Sequence, residues 1–292
     1  MTRTLRRWAL AFLVPATLVY VLTVIYPAVR VIQYGFFNWQ TGGPLKWAGL
    51  SNYAAMFHDP VFVGSVEHTA ELLAGAMVIQ IPLGFLFALL IFKRYPGHRL
   101  YRTVYFIPVV LSTVVIGELW TEVYATPYGL LNAVIRLLHL GNGAQSWLGD
   151  PKTALWSVIV VVGWQYVGLY VLIFLSAMQA IPRALFEAAA LDGAVGWAQT
   201  RRLTIPVLLD TFKLASILLV TGSVQYFNLI WVMTQGGPAN ASQVIASYMF
   251  IQAFTNNQLG YASAVATFML LSSLVLAIAL QRLFRRAPLE LA

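Results

Sequence analysis

No cysteine occurs among the 292 residues, which excludes disulfides, thiol catalysis and cysteine metal sites together. Charge is also scarce: Asp, Glu, Lys and Arg supply 10% of the chain, against roughly 25% in an ordinary soluble domain. Too few charged groups remain to coat a globule of this size. His58, His68, His98 and His139 never fall four residues apart, so the paired-histidine zinc helix is absent and no metal site is expected. None of Lys46, Lys93, Lys152 and Lys213 follows a glycine, so the Gly-Lys-Ser/Thr of a phosphate-binding loop is missing. Any ATP that drives this protein is therefore hydrolysed by another chain. No nucleophile pairs with a base at helical spacing inside an apolar run, which argues against an intramembrane enzyme.

What the chain has is hydrophobic length. It is 60% hydrophobic with a mean hydropathy of +0.75, the composition of an integral membrane protein. Trp8 to Val29 is 22 residues without charge, enough to cross a hydrocarbon core about 30 Å thick. Arg3, Arg6 and Arg7 give it the basic start of a signal peptide. The apolar run nevertheless exceeds the roughly 7–15 residues of such peptides, and no small-residue cleavage site follows, so an uncleaved first span is expected. The remaining apolar runs predict an all-α polytopic fold, residues 1–292 as one domain with six transmembrane helices at about 8–30, 70–92, 103–125, 155–179, 212–234 and 261–282. Gly236-Gly237-Pro238 divides the longest uncharged stretch, because Gly and Pro favour a turn there. The alternation of a membrane barrel is not visible, so strands are not expected.

Basic residues orient these spans. The N-terminus and the segments after the second, fourth and sixth spans hold 3, 4, 4 and 3 of the 18 Lys and Arg, a total of 14. Arg30, Lys46, Arg136 and Lys152 are the remaining 4. Both termini and residues 181–206 are thus expected in the cytoplasm. The net charge of +8 reads as a topology signal, and no nucleic-acid partner is expected. On the opposite side, Ala48 to Phe62 reads as a short helix leading to a turn. A second such stretch lies within 132–150, where Trp147 and Leu148 suit the membrane interface.

Residues 181–206 concentrate charge between two long uncharged runs: Arg183, Glu187, Asp192, Arg201 and Arg202. Pro182 suits the first turn of a helix, and Ala184 to Leu191 are strong helix formers. Gly193 can end that helix in a left-handed conformation, Gly196 permits a second bend, and Ala198 to Leu203 can form another short helix before Pro206. Glu187-Ala188-Ala189, three residues, Gly193, nine residues and Leu203-Thr204-Ile205-Pro206 resemble the EAA loop of binding-protein-dependent ABC importer permeases. That family usually has Ile and Leu where this chain has Leu203 and Ile205, a swap that keeps the apolar character.

The resemblance implies a type I ABC importer permease fold in a bacterial or archaeal cytoplasmic membrane. It implies that the loop docks on a separate ATPase, with Glu187 pairing with a basic residue there. Arg183, Ala188, Ala189, Asp192, Gly193 and Pro206 would hold the loop's shape and contacts. ATP and Mg belong to that partner, and this chain has no cofactor of its own. The implied partners are a second, related permease, two ATPase subunits and an extracytoplasmic substrate-binding protein. A narrower resemblance runs through Tyr226 to Pro238, Tyr128 to Asn132, Trp147 to Pro151 and Leu50 to Tyr53. These resemble carbohydrate importers of the maltose and glycerol-phosphate type, specifically the first of two unlike permease halves. Its implication is a small sugar or sugar-like polyol as cargo.

The residues themselves mark a substrate path. In a continuous fifth helix Thr221, Gln225 and Asn228 stand at i, i+4 and i+7, on one face. Gln165 lies near mid-depth of the fourth span beside Trp164, Tyr166 and Tyr170, and aromatic faces with amides suit sugar rings. Glu118 follows Arg102 by 16 residues, roughly 24 Å along a straight helix, in the outer half of the membrane. The same polar groups also serve as glue between helices, and that reading stays open beside the path. So do a permease for another solute and an ion-driven secondary transporter, although Glu118 is the only ionisable group placed for ion coupling.

Overall fold

The computed structural model describes residues 3–93, 97–141 and 144–284. Arg94, Arg285 and Arg286, which entered the charge count, lie outside the described residues. The chain divides into two compact units, Met1–Val63 with Tyr248–Leu271 and Gly64–Ser247 with Ser272–Ala292.

In the first unit, α1 (Arg3–Tyr20), a π-helical turn (Val21–Ile25) and α2 (Tyr26–Tyr34) form one helical run. The Tyr26 N–H reaches the Val21 carbonyl just before Pro27, so the widened turn falls where proline removes a donor. Phe12, Leu18 and Tyr26 are exposed along this run, a surface suited to lipid or another protein rather than water. Two short strands follow, β1 (Phe37–Asn38) paired antiparallel with β2 (Lys46–Trp47), then α3 (Ser51–His58). The Asn52 amide locks this corner by donating to the Gly35 and Phe37 carbonyls, both at 2.9 Å.

The next helix, α4 (Pro60–Phe92), is 33 residues long and starts ten residues before the expected 70–92. Asp59 Oδ1 accepts the Val61 N–H at 2.8 Å and proline fills the first helical position, a start signal independent of hydrophobicity. Glu67 and Glu71 therefore sit in the helix ahead of its apolar part.

The second unit contains α5 (His98–Val110) and α6 (Thr113–Val123), which meet at 108° across Leu111 and Ser112. The expectation of one straight helix over 103–125 is corrected here: both linking residues have extended ψ, 148° and 131°. Pro108 withdraws a backbone donor one turn earlier, and Ser112 favours a helix start. Then come α7 (Leu130–Leu137), α8 (Ala154–Gln179), α9 (Arg183–Leu191), α10 (Trp197–Gln199), α11 (Ile205–Val207), α12 (Leu209–Val224) and α13 (Asn228–Met233). The described chain ends on α14 (Ile245–Phe250), a π turn (Ile251–Thr255) and α15 (Leu259–Leu283), of which Tyr248–Leu271 belongs to the first unit.

The core of the second unit is built on α8, whose Ile159, Phe174 and Met178 are fully buried. Small residues let backbones meet there: a Cβ on Gly168 would stand 2.0 Å from the Tyr105 carbonyl oxygen, and one on Gly84 2.6 Å from the Tyr170 Cβ. Phe85, Phe174 and Phe212 close the end nearest α9, with Ile181 and Leu208 in the same cluster. Among the described residues five helices are long and apolar enough to cross a membrane, six if the bent pair counts as one span.

Candidate functional site

The hairpin from Ile181 to Leu208 is buried at both ends and held again at Phe186, Gly196 and Thr200. Pro182 directly precedes α9, with ψ at 136°, instead of entering its first turn. The Ala-rich stretch then runs to Leu191, where Gly193 adopts φ +77°. Ala194 N–H bonds the Ala189 carbonyl at 2.8 Å and Gly193 N–H bonds that of Ala190 at 3.0 Å, the paired closure of a Schellman cap. Gly193 thus ends the helix as its position in the sequence indicates.

A second positive φ, +61° at Gly196, turns the chain into α10 and the π turn Thr200–Thr204. Helical geometry then continues through Pro206, where the sequence suggests a short helix ending before it. The Ile205 N–H bonds Thr200 in the wider π register, and the Leu208 N–H reaches Thr204 at 3.1 Å. The π turn supplies the slack that a proline with no N–H requires.

Anchoring comes from the end of α4. Lys93 Nζ donates to the Gly196 carbonyl at 3.3 Å and to Thr200 Oγ1 at 3.2 Å, while Phe92 packs against Phe186 at 5.6 Å between centroids. Gln199 Nε2 bonds the Phe186 carbonyl at 3.0 Å, joining the hairpin's two arms. The outer surface is the reverse: Arg183, Glu187, Ala188 and Asp192 are exposed and Ala189 is half-buried. Leu191 is 90% and Trp197 65% exposed. The side chains of Arg183, Glu187 and Asp192 make no hydrogen bond or ion pair with a described residue. Acidic, basic and apolar groups are therefore offered outward from a backbone held by these contacts.

The expected substrate-path residues divide. Gln165 is 1% exposed, and its Nε2 donates to Thr113 Oγ1 at 3.2 Å, directly after the α5–α6 bend. Its Oε1 has no hydrogen-bond partner among the described residues. Tyr166 meets Tyr226 edge-on at 6.2 Å. The stripe of Thr221, Gln225 and Asn228 on one helical face does not exist, because the helix stops at Val224 and resumes at Asn228. Phe227 (φ −128°, ψ −45°) lies outside helical geometry. Thr221 spends its hydroxyl on the Ile217 carbonyl of its own helix. Gln225 and Asn228, at the two lips of the break, are exposed. Glu118 is exposed on α6, beyond the bend, so the straight 24 Å rise assumed for it does not apply. Glu122 is exposed one turn further along.

Two of the carbohydrate-importer-like segments prove to be one structural unit. Trp147 Nε1 donates to Asn132 Oδ1 at 3.0 Å, and Asn132 Nδ2 donates to the Gln145 carbonyl at 3.0 Å. Asn132 is completely buried, so its role is to hold this corner rather than to meet cargo. Lys93, Thr200 and Thr113 were not singled out from the sequence. Each is joined to its partner across 50 or more residues, so no local pattern signals them.

Residues 80–288 match the binding-protein-dependent transport system inner membrane component family. The chain is 36% identical over 282 residues to the probable ABC transporter permease protein YurN of Bacillus subtilis, covering 96% of both chains. It is 30% identical to the diacetylchitobiose uptake system permease protein NgcF of Streptomyces coelicolor, over 92% of this chain and 79% of that one. The fold matches a chain of a bacterial ABC transporter involved in the import of the acidic polysaccharide alginate, with a TM-score of 0.84 at 22% identity and 96% of both chains covered. The protein belongs to the binding-protein-dependent transport system inner membrane component family, as a multi-pass transport subunit and not an enzyme.

Proposed function

We infer that this chain is the transmembrane subunit of an ATP-driven importer of a sugar or sugar-like polyol, forming half of the translocation path. The observation that carries the coupling role is the hairpin 181–206: a Schellman-capped helix, tied to α4 by Lys93, presenting Glu187, Arg183 and Trp197 outward. An exposed, unpaired carboxylate on a rigid arm is suited to a charge-assisted contact with a basic residue of an ATPase. The 14-to-4 split of basic residues supports a cytoplasmic position for this hairpin and both termini, on the side where ATP is. A saccharide cargo is supported by relatives described as permeases for diacetylchitobiose uptake and, by fold, for alginate import.

In this scheme a second, related permease supplies the other half of the path, two ATPase copies close against the paired hairpins, and a substrate-binding protein delivers cargo to the outer face. ATP and Mg stay on the ATPase. Gln225 and Asn228, at the break between α12 and α13, are the path residues best placed to meet cargo, since both are exposed and neither pairs with a described residue. The test is uptake of labelled saccharides by the assembled complex in proteoliposomes. ATP-dependent accumulation with none from an ion gradient supports the reading; accumulation driven by an ion gradient in the chain alone overturns it.

A further inference from the structure

The first unit contains a second polar site, separate from the helix break in α12–α13. A cavity of 520 Å³ is walled by six side-chain amides, Asn38, Gln40, Asn52, Gln252, Asn256 and Gln258. Trp39 and Tyr261 add aromatic surface, and Asp59 adds the single carboxylate. Lys and Arg are absent from its described lining. Its volume falls within the roughly 300–1,000 Å³ of small-molecule sites.

The walls are set by backbone constraints. Gly260 lies so close to β1 that a Cβ there would be 2.0 Å from the Phe37 carbonyl oxygen, and its N–H bonds the Trp39 carbonyl at 3.0 Å. Asn257, at φ +55°, offers its carbonyl to the Thr41 N–H at 3.3 Å. Gln252 lies in the π turn, a feature frequent at functional sites, and its Oε1 accepts from Asn256 Nδ2 at 3.0 Å. That bond leaves the Gln252 N–H groups and the Asn256 carbonyl oxygen for a ligand, a donor beside an acceptor. Asp59 is held by the Tyr248 hydroxyl at 2.5 Å, while Tyr248 and Tyr261 hydroxyls stand 2.9 Å apart. Burial, followed by the bond to Asp59, pushes the Tyr248 phenol well above its ordinary value, so it remains a donor to that carboxylate.

Amides that both donate and accept, an indole face and no cation suit hydroxyl groups on a ring. They do not suit a carboxylated sugar, which Asp59 would repel and no basic group would compensate. We propose that this cavity is a binding subsite for a neutral saccharide on the face that the charge count assigns to the outside, where cargo is met before it enters the membrane. The proposal rests on the sugar-importer reading, and it narrows the cargo to the uncharged class.

The test uses the full importer in nanodiscs and a diazirine derivative of a neutral trisaccharide that the same preparation transports. Peptide mapping is expected to find label within residues 38–59 or 252–261. Excess unlabelled neutral trisaccharide removes that label, and a trigalacturonate of equal length does not. Gln252→Ala/Asn256→Ala is expected to weaken labelling by about five- to tenfold, with α15 and the complex intact, as fits the loss of one or two hydrogen bonds. Label confined to the membrane helices, equal competition by trigalacturonate, or unchanged labelling in the double variant overturns the subsite. Any of those results alongside ATP-driven uptake of the trisaccharide leaves the sugar-importer reading standing. Absence of ATP-driven uptake for every saccharide overturns that reading and this proposal together.

Discussion

Lys93 Nζ stands 3.2 Å from Thr200 Oγ1, joining residues 107 apart in sequence. A single ammonium at the end of α4 thereby holds the second arm of the 181–206 hairpin, whose first arm is set by Phe186 on Phe92. Both arms of the hairpin are thus joined to the end of α4. Lys93→Met keeps the aliphatic stem and removes both donor contacts, so it is expected to lower transport per ATP hydrolysed without changing membrane abundance. Bonds this exposed are worth about 0.5–1.5 kcal/mol each, so the loss should be several-fold, not complete. Parallel uptake and ATPase rates on the same preparation check it.

Gly168 is where α8 touches the backbone of α5. Gly168→Val should lower the melting temperature of the purified chain, with overpacking of about 1–3 kcal/mol. Gly222, inside α12, is the control: its added Cβ would meet nothing within 4 Å, so Gly222→Ala should leave melting unchanged or raise it.

The helix break separates two kinds of polar residue. Gln225→Ala and Asn228→Ala should weaken apparent saccharide affinity several-fold at unaltered melting temperature, since both side chains are exposed and neither bonds a described residue. Gln165→Ala should act the other way, lowering stability through the lost bond to Thr113. Affinity and melting measured on the same variants distinguish cargo contact from helix glue. Unchanged affinity in both exposed variants removes Gln225 and Asn228 from the path.

Because the chain has no cysteine, orientation is open to a clean test. Impermeant thiol labelling of intact cells should reach Asn240→Cys and not Ala198→Cys. The reverse pattern would invert the topology drawn from the basic residues.

Much of the fold is written locally and so could be read. The Gly193 cap, the helix at α9 and the short helix over 51–58 all follow from residue types within one or two turns. Three features could not be read, for physical reasons. The 108° bend depends on how Leu111 and Ser112 resolve a conflict between an apolar run and Pro108, and hydropathy does not register it. The Gln225–Phe227 break likewise defeats a periodicity argument that assumes an unbroken helix. The amide-walled cavity unites residues 38–59 with residues 252–261, and no spacing rule connects stretches so far apart. The Asn132–Trp147 bond shows the converse: segments noticed for their likeness to carbohydrate importers turned out to serve each other.

The central claim is that the hairpin is the grip for an ATPase, and Glu187 tests it most directly. The measurement is the amount of ATPase subunit retained on the affinity-purified chain at equal membrane abundance, for the wild type, Glu187→Ala and Gly193→Pro. Proline at 193 cannot adopt φ +77° and removes the N–H bonded to Ala190, so the capped tip is lost. Glu187→Ala is expected to retain about tenfold less ATPase and Gly193→Pro almost none, with both variants inserted normally and ATP-driven uptake falling in step. Full ATPase retention and full uptake in both variants would contradict it.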